Sequence, residues 1–152
     1  MNRSKLLGAI LIVMLVAVAA RSDEKLKRQF TNLAEDFYED LVRDKTATLE
    51  NCKLDVPFLP EVECPVIKFH VSEARRRQLT LPMIVVHDSK GAVIAFLWAK
   101  EATLSTDQEK KQLLLHMRDA HFVAVDHTAR LHCAERVFSI TVVGDGVAPI
   151  RK

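Results

Sequence analysis

The sequence predicts a single α+β domain with a mostly antiparallel sheet of about five strands, a long N-terminal helix and a second helix near residues 106–120. Three observations carry this prediction. Apolar residues between 26 and 41 recur at helical spacing. Two β-branched runs flank a tight turn at 88–91. Strands follow one another in hairpin fashion, which favours an antiparallel layer over βαβ winding.

The N-terminus comes first. Arg3 and Lys5 precede an uncharged apolar run, LLGAILIVMLVAVAA (6–20), and Ala17-Val18-Ala19 has the small-x-small form of a signal-peptidase site. A positive start, a short apolar core and a small-residue exit read as a secretory signal peptide over 1–19. The competing reading is an uncleaved membrane anchor over 6–20, although the run is shorter than the ~20 residues that span a bilayer comfortably. Residues 21–152 then form the domain. The expected location is exported, periplasmic or extracellular, with the membrane involved only if the leader stays attached.

Removing residues 1–19 takes Arg3 and Lys5 away, so 22 basic residues become 20, against 20 acidic ones. A formally neutral domain offers no field to gather nucleic acid. The remaining chain is long enough to bury a core without staples.

Leu26, Phe30, Leu33, Phe37 and Leu41 fall on one helical stripe, widened by Ala34, Tyr38 and Val42. Ser22 is the expected N-cap, with Asp23 and Glu24 in the first turn, and the pattern fades past Lys45. VIKFHV (66–71) alternates as a strand, and SEARRRQ (72–78) predicts one or two helical turns. LPMIVVHDSKGAVIAFLW (81–98) predicts a hairpin with Gly91 at positive φ. Neither arm alternates cleanly, which predicts strands covered on both faces. Thr106-Asp107-Gln108-Glu109 fits a capping box opening the second helix, with Leu113, Leu114 and Met117 inward. Residues 121–146 read as β again, with Phe138, Ile140 and Val142 on one face.

Cys52, Cys64 and Cys133 are the three cysteines. Export would place them where disulfides persist. A Cys52–Cys64 staple is the most local pairing, and closing that loop would contribute about 3 kcal/mol. A pairing with Cys133 remains open. The eleven residues between Cys52 and Cys64 argue against a catalytic dithiol, which needs two close thiols.

His116, His121, His127 and His132 cluster beside Cys133, and imidazole with thiolate suits zinc or copper. The spacing is poor for a site, so His127, His132 and Cys133 are weak candidates that need a hairpin turn near Ala129 to meet. Arg75, Arg76 and Arg77 form the one basic run and a possible partner contact. No nucleophile elbow or glycine-rich phosphate loop is present, so no catalytic residue and no cofactor is assigned.

From Val66 to Ala120 the order of strand, short helix, Thr80-Leu81-Pro82, strand, Lys90-Gly91 turn, strand and capped helix resembles the C-terminal half of a thioredoxin fold. The resemblance covers about a third of the chain. It implies a cis-proline opening the strand at Met83–His87, and a degenerate thiol/disulfide protein using Cys64 or Cys133. The leading expectation is a non-catalytic protein acting by protein–protein contact, of inhibitor, immunity or assembly-accessory type. A metal-binding envelope protein is a further alternative.

Overall fold

The computed structural model describes residues 3–55, 66–126 and 128–143, with side chains from residue 12 onward. Among the described residues there is one helix, α1 (Arg3–Asp44), of 42 residues. The expected start at Ser22 is overturned. No proline or glycine lies between Gly8 and Asp44 to interrupt a helix, so the apolar N-terminal run and the amphipathic segment join without a break.

At 1.5 Å per residue α1 is about 63 Å long. Its first buried residue is Phe30, and Ile12–Val16 and Val18 stand exposed. Among the described residues no helix is long and apolar enough to cross a membrane. The end near Lys45 is as expected. Lys45 adopts φ 61° and its N–H donates to the Leu41 carbonyl at 3.2 Å, a left-handed C-cap.

The strands are β1 (Thr46–Leu49), β2 (Cys52–Asp55), β3 (Val66–His70), β4 (Glu73–Arg75), β5 (Gln78–Thr80), β6 (Met83–His87), β7 (Val93–Trp98), β8 (Glu101–Asp107), β9 (Gln112–Ala124) and β10 (Arg130–Val142). All pairings are antiparallel. The α+β class and antiparallel sheet hold, but among the described residues the sheet has ten strands in place of about five.

The 13-residue strands β9 and β10 form the spine. On one side β9 pairs first with β8 and then with β7, while β10 pairs with β2. One wing runs β7–β6–β3–β1 and the other β8–β5–β4. The sheet curls, and Phe30, Leu33, Ala34, Phe37 and Leu41 of α1 join its inward residues in one core. Phe37 meets Phe69 edge to face at 4.8 Å.

The spine is bent at one level. In β9 the buried residues are Leu113, Leu115 and Met117, then Ala120, Phe122 and Ala124. The alternation skips at Arg118–Asp119, where both side chains are exposed and Asp119 takes φ 52°. The neighbouring line skips at Lys100, between buried Ala99 and Ala102. Strand pairing continues through the skip while the core face is kept, which turns the sheet sharply.

The second helix near 106–120 is overturned. Thr106 and Asp107 end β8 and residues 108–111 form the β8–β9 turn, with the Asp107 carboxylate accepting from the Lys110 N–H at 3.0 Å and Lys111 at φ 53°. The side chains that resemble a capping box also suit a turn, and LLLHM satisfies a period of two once Leu115 is inward.

SEARRRQ is likewise the β4–β5 hairpin, with Arg76 and Arg77 at φ 50° and 66°. The segments that the thioredoxin resemblance reads as helices are therefore hairpins, and no described peptide bond is cis. The β6–β7 turn is as expected, with Gly91 at φ 84° and its N–H donating to the Asp88 carbonyl at 3.0 Å.

Candidate functional site

The strands β6 and β7 are not covered on both faces. They alternate in burial, and their outer face carries Met83, Val85, Phe96 and Trp98. Apolar residues on an open sheet face hide the alternation in the sequence. Met83, Phe96 and Trp98 are 42%, 36% and 39% exposed, so large apolar side chains face solvent side by side.

Cross-strand register orders this face into rows. One row runs Thr46, His70, Met83, Trp98, His121, His132 across β1, β3, β6, β7, β9 and β10. The next runs Thr48, Lys68, Val85, Phe96, Val123, Arg130. Direct cross-strand partners project to the same side, so apolar groups occupy the middle of both rows, with imidazoles beside them in the first.

At one end of the first row three rings stack. Trp98 and His121 are parallel within 5° at 5.2 Å between centroids. His121 and His132 follow at 4.2 Å and 12°.

Asp119 closes the row. Its left-handed backbone, which aspartate tolerates better than most residues, places it on the outer side with the two histidines. The Asp119 Oδ1 lies 2.7 Å from His132 Nε2 and 3.4 Å from His121 Nε2. The His132 hydrogen bond, opposed by slight desolvation and aided by the charge of both imidazoles, holds the Asp119 carboxyl below the usual range. The ligand atoms of Asp119, His121 and His132 all lie within 4.8 Å of one another.

The sequence candidates are distributed as follows. His132 belongs to this cluster. Cys133, next along β10, pairs with buried Ala120 and turns to the opposite face; its thiol is free and half-buried. His127 lies outside the described residues. The Ala124 N–H donates to the Ala129 carbonyl at 3.0 Å, so the turn sits ahead of Ala129 and gives His132 His121 as its partner. His116 is on the other side of the bend, beside Arg118 along a cavity of about 250 Å³.

Cys64 lies outside the described residues, and the Cys52–Cys64 staple with it. Cys52 is buried on β2, with Sγ 3.8 Å from the Leu49 carbonyl oxygen, and burial pushes its thiol up to about 12.

The arginines divide. Arg77 is spent internally: it pairs with Glu35, sits 4.7 Å over the Tyr38 ring, and gives its backbone N–H to the Tyr38 hydroxyl at 2.7 Å. Arg75 and Arg76 are exposed.

Sequence reading noted His121 in the histidine cluster but left it out of the candidate ligands, and it missed Asp119, Met83, Phe96 and Trp98. The available signal was the paired spacing Met83/Val85 with Phe96/Trp98, which a hairpin centred near Asp88–Gly91 places together. Set against protein-family models, curated proteins and solved structures, the chain matches none.

Proposed function

We propose that the chain is an exported, non-catalytic binding protein of the cell envelope or extracellular space, which takes a protein partner on the outer face of its sheet. The observation that carries this reading is the patch formed by Met83, Val85, Phe96, Trp98 and Val123. Methionine and large aromatics are the residues that concentrate at the centres of protein interfaces. A polar row end, with Lys68 on one side and Arg130 on the other, supplies the rim such an interface needs. The partner surface that fits is a protein face offering an apolar ridge.

The N-terminal sequence supports export, and the exposed apolar turns of α1 at Ile12–Val18 support either a leader awaiting removal or a tether. If the leader is retained, α1 presents the sheet at a distance from its anchor.

The test is affinity capture from the native source with three baits: wild type, a Phe96→Ser/Trp98→Ala variant and a Thr103→Ala/His116→Ala control on the other wing. The expected result is one stoichiometric protein with wild type and control, absent with the patch variant. Equal capture by all three baits, or capture of nothing beyond the chain itself, would overturn the reading.

A further inference from the structure

We infer that Asp119, His121 and His132 form a three-ligand site for a late first-row divalent metal ion of the zinc or copper(II) class. The three ligands lie outside the docking patch, and the inference does not depend on that reading. Two imidazoles and one carboxylate are a donor set these ions favour. Both imidazole Nε2 atoms already converge on the same carboxylate oxygen, at 2.7 and 3.4 Å. All three ligand atoms lie within a 4.8 Å span, a separation compatible with shared coordination at about 2.0–2.2 Å from one ion.

The scaffold is ordered for the purpose. His121 and His132 are directly opposed on the two longest strands of the sheet. Asp119 reaches them only because its left-handed backbone interrupts the alternation of β9. Sites carried on paired strands hold their ligands more tightly than sites on loops. Trp98, packed on His121, restricts that ring from the other side. The solvent-facing position is left for water or for a ligand from a partner.

The arrangement also dictates how loading proceeds. One ion lies in the plane of each imidazole that ligates it, so two rings 12° from parallel cannot both bind as stacked. His132, the more exposed of the two, turns out of the stack. A ring nitrogen that ligates must offer its lone pair, so any proton held between His132 Nε2 and Asp119 leaves that nitrogen for solvent or for Nδ1 as the ion binds.

The experiment uses the full chain without a histidine tag, in mild detergent, titrated with copper(II) and separately with zinc(II) in a non-chelating buffer. Trp98 is the only tryptophan and reports copper by quenching; zinc is read by calorimetry and by competition against copper. We expect saturable one-to-one binding by wild type. Asp119→Asn, His121→Gln and His132→Ala should each weaken it at least about tenfold, since even groups behind the ligands are worth 10–100-fold. His70→Ala and His116→Ala should leave it unchanged. Circular dichroism identifies any variant that fails to fold; His132→Ala, at an exposed position, serves as the decisive one. Binding that is unsaturable in wild type, or equal in wild type and in the folded His132→Ala protein, would overturn the inference. Selective response to copper alone or zinc alone would assign the ion within the class.

Discussion

His121 and His132 sit directly opposite each other on β9 and β10, with their rings stacked at 4.2 Å. His121 is the middle ring, covering one face of Trp98 at 5.2 Å. The two histidines therefore differ in what their removal exposes. His121→Ala uncovers the indole, and tryptophan emission shifts to the red. His132→Ala leaves that contact intact, with emission unchanged and stability little altered, because its pairing with Asp119 is solvent-exposed. Steady-state fluorescence and chemical denaturation check both. An equal red shift in the two variants would contradict the stacking order.

The alternation of β9 makes neighbouring leucines unequal. Leu115 is fully buried, whereas Leu114 lies half-buried on the outer side. Leu115→Ala is expected to cost about 2–5 kcal/mol by leaving a cavity, and Leu114→Ala about 1 kcal/mol or less. Denaturant unfolding of the two variants measures the difference. The reverse order would restore a helix over 106–120, whose inward side includes Leu114.

This pair also shows why part of the fold was legible and part was not. The amphipathic half of α1 was readable because Phe30, Leu33, Phe37 and Leu41 all face one core, and no other period fits them. The run Gln112-Leu-Leu-Leu-His-Met satisfies both a helical and an alternating pattern, and the adjoining Thr-Asp-Gln-Glu serves a cap or a turn equally well. Only pairing of β9 with β7, β8 and β10 decides between them, and long-range pairing is not written in local sequence. The outer-face cluster was hidden for the same reason. His121 and His132 become neighbours through register, and Asp119 through a backbone conformation that aspartate permits without requiring.

The β4–β5 turn places two arginines in left-handed conformations that glycine or asparagine usually fills. Arg77 gains the Glu35 pair and the Tyr38 contact from α1 in return, whereas Arg76 is exposed. Arg76→Gly is therefore expected to raise stability by about 0.5–1 kcal/mol through relief of strain. Arg77→Ala keeps the strain and loses the clasp on α1, and is expected to lower stability by about 1 kcal/mol. Thermal unfolding of both variants checks the sign.

Cys52 and Cys133 differ in surroundings. In reduced protein, alkylation at mild pH is expected at half-buried Cys133 first, with Cys52 protected until unfolding; peptide mapping after timed labelling reads the order. The pH dependence follows from the same burial. The reduced Cys52 thiol is raised from 9.0 to about 12 in the fold, so its neutral form is favoured there. Its contribution to stability is full below about pH 9 and is lost as pH rises from 9 toward 12. Cys52→Ala should flatten stability over that window. A slope unchanged by the substitution would contradict the assignment.

The central claim is that the outer face around Phe96 and Trp98 receives a protein partner. A photo-reactive phenylalanine analogue at position 96, activated in the native source, tests it most directly, with the same analogue at Thr103 on the other wing as control. The account predicts one discrete heterologous adduct from position 96 and none from position 103. Adducts only between copies of the chain, or the same adducts from both positions, would contradict it.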